Sequence, residues 1–207
     1  MMDFLVRETR LMTEGPLLFI RFGTCGGMVE NVPPGCLMVA SEGSVLVRQE
    51  VDAMGHEPLD HSPYFISNIC PSDEELSNSL LRCFTEVLVP DGMSEEEGRD
   101  IVRGGLNVTA DSFYSSQGRQ DPDFEDHNLT LVQDVLTQYP HAASMEMETY
   151  QLLHLARIST NNSVRASAIA LSLTNRVTGE VMSTDVFNER IEKGARAVLE
   201  SIVSTSL

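Results

Sequence analysis

The sequence predicts an α/β protein: a single domain, residues 1–207, with a central mixed sheet flanked by helices. Three observations predict it. Short apolar runs of strand composition alternate with amphipathic helical segments along the whole chain. At 207 residues and 22.8 kDa the chain suits one domain with a sizeable core. Apolar residues make up 42% of it, which excludes a disordered chain, yet no run is long enough to span a membrane.

Each element follows from local pattern. Residues 3–14 read as an amphipathic helix with Phe4, Leu5, Leu11 and Met12 near one face, broken by Gly15-Pro16. Residues 17–22 form a short apolar strand with Arg21 near its end, and residues 23–27, rich in glycine, form a flexible turn. Val32-Pro-Pro-Gly35 turns the chain into a strand over 37–40, with a strand over 45–47 beside it. Residues 49–71 show no period and read as a long surface loop. Ser72-Asp-Glu-Glu75 is a capping box opening a helix over 73–88. Residues 91–97 are an acidic loop or helix start, and 104–110 a strand. Residues 127–138 form a helix ended by Tyr139-Pro140. A short strand or crossover over 142–147, a helix over 149–158, a core strand over 165–173, a loop over 174–185 and a final helix over 186–203 complete the series.

The charge excludes some partners. The net charge of −17 disfavours nucleic acid and anionic membranes, because both would be repelled. An anionic small substrate stays open where arginines are focused locally. Lys193 is the only lysine, which fits a genomic composition bias. Cys25, Cys36, Cys70 and Cys83 show no CxxC spacing, and the five histidines form no HxxxH or HExxH pair, so neither zinc nor a disulfide framework is expected. Asp52, His56, Asp60 and His61 share one loop, but their spacing is unspecific and a solvated loop accounts for them. Residues 1–12 carry Asp3, Arg7, Glu8 and Arg10 and lack the apolar core of a signal peptide. Reduced cysteines and a cytoplasmic location are the expectation.

Four segments carry candidate chemistry, each at a strand end, where open α/β sheets bind ligands. Asp111-Ser-Phe-Tyr-Ser-Ser-Gln-Gly-Arg119 offers a flat apolar face in Phe113, an amide in Gln117 and a guanidinium in Arg119, the groups that hold and read a polar heterocycle. Arg21-Phe-Gly-Thr24-Cys-Gly-Gly27 either cradles a phosphate or is a plain tight turn. Glu146-Met-Glu148 places two carboxylates on one side of an extended chain, suited to a sugar diol; equally, acidic residues favour the start of the following helix, an account better for Glu148 than for Glu146. Asn175-Arg176 either reaches a ligand or caps a loop.

Jointly, and in this order, Phe19-Ile-Arg-Phe-Gly-Thr-Cys-Gly-Gly27, Asp111–Arg119, Met145-Glu-Met-Glu-Thr149 and Thr174-Asn-Arg176 resemble the nucleoside phosphorylase-I family, in its pyrimidine branch, over essentially the whole chain. The resemblance implies the family's three-layer fold and phosphorolysis of uridine to uracil and ribose 1-phosphate in pyrimidine salvage, with no cofactor and no metal. It implies Arg21 and Thr24 on phosphate, Glu146, Met147 and Glu148 on ribose, Phe113, Gln117 and Arg119 on the base, and Arg119 and Arg176 as catalytic groups. A site completed across a subunit interface implies a homodimer at least. The alternatives are a purine phosphorylase or nucleosidase of the same superfamily, against which Asn175 and the Gln117/Arg119 pair count, and a non-catalytic nucleoside-binding protein. The family also carries strands with a glycine-rich phosphate turn and further arginines ahead of the segment matching residues 1–14. By that comparison the N-terminal third is missing, the phosphate half of the site is incomplete, and exposed core surface, at about 25 cal/mol per Å2, would leave this chain poorly stable.

Overall fold

The computed structural model describes residues 1–53 and 62–205. Its elements are α1 (Met2–Met12), β1 (Leu17–Gly27), β2 (Leu37–Val39), β3 (Ser44–Gln49), β4 (Tyr64–Ile66), α2 (Glu74–Leu88), α3 (Glu95–Arg99), β5 (Val102–Gly104), β6 (Leu106–Ala110), α4 (Leu131–Gln138), β7 (Ala142–Glu146), α5 (Thr149–Arg157), β8 (Val164–Asn175) and α6 (Thr184–Ser204). The strands form one mixed sheet in the order β4-β3-β6-β7-β1-β8-β2-β5. β3, β6 and β7 run parallel in sequence, as do β1 with β8 and β2 with β5, while β4, β1 and β2 meet β3, β7 and β8 antiparallel. β5 and β6 are joined through Gly105 alone yet lie five places apart in that order, so the sheet curls strongly.

Helices cover both faces. α2 and α6 pack Leu80, Phe84, Leu88 and Ala197 on Leu37, Val39, Ile169 and Leu171. α1 and α5 pack Val6, Leu152, Leu153 and Leu155 on Val164 and Ala166. α4 packs Leu131 and Val135 on Val45, Val47, Leu106 and Val108. Leu80 and Phe84 are wholly buried, each contributing roughly 1.5–3 kcal/mol.

Several boundaries differ from the sequence reading. The glycines of residues 23–27 do not turn the chain: β1 continues through them to Gly27, with one register shift between Cys25 and Gly26. They serve close packing instead, since a Cβ on Gly27 would lie 2.6 Å from Val32 O and one on Gly26 3.1 Å from Arg176 Cδ. The strand over 45–47 does not pair with that over 37–40; β3 joins β6 and β4. Gly43, at φ +93°, diverts the chain between β2 and β3, and a Cβ there would lie 2.2 Å from Cys70 O. The 49–71 loop contains β4, whose Tyr64 hydroxyl donates to Asp126 O. The loop's metal reading rests on His56, Asp60 and His61, which lie outside the described residues. Among the described residues no group of three or more His, Cys, Asp or Glu is placed to hold a metal, and no helix is long and apolar enough to cross a membrane. The 104–110 strand divides into the end of β5 and all of β6 at Gly105. α4 begins at Leu131, not at 127, because the Asn128 amide is engaged upstream on Ser115 O and Arg119 O.

At α2 the cap is Asp73, not Ser72: its carboxylate accepts from Leu76 N, whereas Ser72 donates to Ala40 O; the capping box lies at α3, between Ser94 and Glu97. Asp73 also pairs with Arg165 at 2.7 Å. The Arg165 hydrogen bond, with help from Leu76 N–H and against partial burial, holds the Asp73 carboxyl below its ordinary range. A depressed folded-state value stabilises the fold above the ordinary carboxylate range, and that contribution is lost as pH falls through the folded-state value. Asn caps a helix about as well as Asp, so Asp73→Asn removes the charged bond to Arg165 and is expected to cost about 1–2 kcal/mol at neutral pH, a few degrees in melting temperature. The gap to the parent should narrow near about pH 3, as thermal melts at both pH values will test.

One edge of β1 is singular. From Leu17 to Gly27 it pairs with β8, whereas on its other side it meets β7 only at Gly26↔Met145 and Gly27↔Ser144. There the two strands diverge, and the opening holds the cleft described next.

Candidate active site

The cleft has a volume of about 640 Å3 and lies between the diverging ends of β1 and β7. Arg21 and Thr24 on β1, Phe113, Gln117 and Arg119 after β6, and Glu146, Met147 and Glu148 at the end of β7 all line it. Arg176, the remaining candidate, does not.

Arg21 lies within β1, with its side chain 13% exposed. Its guanidinium folds back over Gly23, where a Cβ would lie 2.5 Å from Cζ. Nη2 donates to Glu148 Oε2. Nη1 stands 3.1 Å from Glu146 Oε2, near enough for charge pairing but misaligned for a hydrogen bond, and it is buried without an acceptor. Thr24 is exposed at the rim.

The two carboxylates play different parts, the reverse of the helix-start reading. Glu146 is buried and saturated: Oε1 accepts from Asn107 Nδ2 at 2.7 Å and Thr109 Oγ1 at 2.6 Å, and Oε2 from Glu148 N at 2.9 Å and Thr149 N at 3.0 Å. It satisfies the first N–H groups of α5, a capping role that leaves no lone pair turned to a sugar. Glu148, half exposed, is the carboxylate that faces the cleft.

On the other wall, Arg119 stacks with Cζ 4.2 Å from the Phe113 ring centroid and donates from Nε to Phe113 O at 3.1 Å. Gly118 supplies the left-handed turn, φ +67°, that brings Arg119 back over the ring. Gln117 is buried; its O accepts from Arg176 Nη2 and its Oε1 from Nη1 at 3.4 Å. Arg176 thus sits behind Gln117 and props it. Burial, and next the Arg119 charge, bring the Arg176 guanidinium down to about 10. Asn175 takes the loop role: it is buried, its amide donates to Val29, Glu30 and Val32 carbonyls, and its Oδ1 accepts from Val177 N and Thr178 N. Its side chain is therefore spent outside the cleft, which leaves Gln117 and Arg119 as the polar side chains on that wall.

Sequence reasoning missed Asn107, Thr109 and Asn128, which hold the cleft residues from behind, and the apolar rim residues Leu173 and Val181. Only the polar Asn107 and Thr109, alternating with Leu106 and Val108 in a strand, left a readable signal.

The model of the phosphorylase superfamily matches residues 1–204. A structure from work on two uridine phosphorylases of the oomycete Phytophthora capsici is 39% identical, with a TM-score of 0.90, and the match covers 100% of this chain and 72% of that one. The Schistosoma mansoni uridine phosphorylase solved with thymine is 22% identical, with a TM-score of 0.64 and coverages of 97% and 66%. The Trypanosoma brucei nucleoside phosphorylase, described as showing uridine phosphorylase activity, is 20% identical, with a TM-score of 0.65 and coverages of 91% and 64%. The chain thus spans slightly under two thirds of the last two, whose likeness concerns the fold alone. No curated protein matches. With a family model satisfied over nearly every residue, a relative at 39% identity and the family's candidate residues gathered in one cleft, the chain belongs to the phosphorylase superfamily.

Proposed function

We propose that the protein is a uridine phosphorylase, converting uridine and phosphate to uracil and ribose 1-phosphate. The observation that carries this reading is the cleft itself. One wall presents the Arg21 guanidinium, and the middle presents the Glu148 carboxylate. The other wall presents a ring, an amide and a second guanidinium.

Phosphate held by Arg21 and Thr24 attacks the anomeric carbon of the ribose. A C–O bond forms as the bond to uracil N1 breaks, and the electron pair leaves with the base, spreading to its carbonyl oxygens. Arg119, reaching that edge, stabilises the charge more in the transition state than in the ground state. Gln117 donates to and accepts from the same edge, Phe113 gives the ring a stacking face, and Met147 and Glu148 hold the ribose hydroxyls. Arg176 acts through Gln117, and Glu146 through Arg21. Positioning and electrostatics suffice, so no cofactor is called for. By resemblance the reaction belongs to pyrimidine salvage in the cytoplasm, carried out by a homodimer or higher assembly.

The test is release of uracil from uridine by the purified chain with and without phosphate. Phosphate-dependent release is expected. Equal rates in both conditions, or faster turnover of inosine than of uridine, would overturn the assignment.

A further inference from the structure

Five buried polar side chains lie together on three adjacent strands: Ser44 on β3, Asn107 and Thr109 on β6, and Ser144 and Glu146 on β7. Their neighbours Val45, Leu106 and Val108 are wholly buried apolar residues. Polar groups in such a place are tolerated when they are mutually satisfied, and a satisfied network fixes orientation.

The directions of the bonds show what is fixed. Thr109 Oγ1 accepts from Tyr150 N at 2.9 Å and from Asn107 Nδ2 at 3.2 Å. A carboxylate only accepts, so its single hydrogen goes to Glu146 Oε1, 2.6 Å away, and Ser44 Oγ, 3.0 Å off, is left to donate to it. Asn107 gives the same oxygen a second donor at 2.7 Å, while its own Oδ1 accepts from Ser144 Oγ at 3.0 Å. With Oε1 held toward β6, Oε2 is turned to the cleft, where Arg21 Nη1 stands 3.1 Å away. The same threonine hydroxyl holds the first turn of α5 through Tyr150 N, just after Met147 and Glu148.

We propose that Asn107 and Thr109, neither of which lines the cleft, are positioning residues for Arg21: by locking the Glu146 carboxylate, which pairs with Nη1, they aim the guanidinium that meets an incoming anion. This rests on the reading of Arg21 as the phosphate-holding group. It assigns to Glu146 a task on the phosphate side of the site, away from the sugar.

The test compares Thr109→Val with Thr109→Ser in the full chain, using inorganic phosphate as the probe. Phosphate affinity is measured by calorimetry without nucleoside, melting temperature alongside, and KM for phosphate and for uridine in the steady state. Valine keeps the shape and removes the hydroxyl; serine keeps the hydroxyl and removes a methyl. Thr109→Val is expected to weaken phosphate binding about tenfold or more, since small displacements of a positioning group have effects of that size. Thr109→Ser should bind phosphate as the parent does, even where its melting temperature falls, and KM for uridine should move less than KM for phosphate in both. Should Thr109→Val fail to fold, Asn107→Ala, which removes the other donor to the same oxygen, carries the same expectation. Equal phosphate binding in the valine and serine variants overturns the proposal, as does weakening that tracks the melting temperature in both. A parent that binds no phosphate overturns it too. A parent that binds phosphate but releases no uracil overturns the assigned reaction alone and leaves the affinity comparison decisive.

Discussion

Arg21→Ala is expected to lower kcat/KM for phosphate by about 10²–10³-fold, the usual effect of removing one well-placed charged donor from an active site. The loss should be larger than at any other β1 position, because the guanidinium bridges two carboxylates and its Nη1 carries no acceptor of its own. Stability should fall as well. Glu146 would keep its four donors but lose the one cationic partner it has among the described residues, and its side chain is 1% exposed. Stranding a buried charge entirely costs about 3–5 kcal/mol, and the remaining donors place this case below that range. Steady-state kinetics with phosphate varied at saturating uridine, together with a melt, check both statements. An unchanged dependence on phosphate would remove Arg21 from the phosphate site.

The second large effect belongs to the opposite wall. Arg119→Ala is expected to slow uridine turnover by about 10²–10³-fold while leaving KM for phosphate nearly as it was. Its structural consequences are small and opposed. The stacking on Phe113 is lost, about 0.5–1 kcal/mol at an exposed site, but so is the repulsion between Arg119 and Arg176. With that repulsion gone, the Arg176 guanidinium moves back up toward its ordinary value, while burial still holds it below. Kinetics with each substrate varied in turn separate the two walls. A collapse of phosphate affinity in this variant would mean that the division of the cleft is wrong.

The alternation of strands and helices, the mixed sheet and most elements were legible in sequence, because each rests on a local pattern of apolar residues. What was not legible depended on distant partners. Gly23, Gly26 and Gly27 resemble a turn to any local reading; only Arg21, Arg176 and Val32, packed against them, show why an extended strand has no Cβ there. The separation of β2 from β3 follows from pairing with β8 and β6, more than fifty residues away. In the site, the residues with free side-chain chemistry were read from composition and order: Phe113, Gln117, Arg119, Arg21 and Glu148 do line one cleft. Glu146, Asn175 and Arg176 are polar side chains whose hydrogen bonds are taken up by protein, and no sequence pattern reveals which lone pairs are already occupied.

The one-sided pairing of β1 gives that strand two classes of amide. In a parallel ladder alternate residues bond the same neighbour, and Leu17 N donates to Ser163 O. Phe19, Arg21 and Gly23 therefore share the β8 ladder, while Leu18, Ile20 and Phe22 turn their N–H groups to the opposite edge, where no strand among the described residues pairs with them. Native-state deuterium exchange should accordingly beat with a period of two along a single strand, fast at even positions and slow at odd ones. Anything that comes to lie along the open edge would silence the even beat alone, which makes these amides a reporter of what occupies the gap.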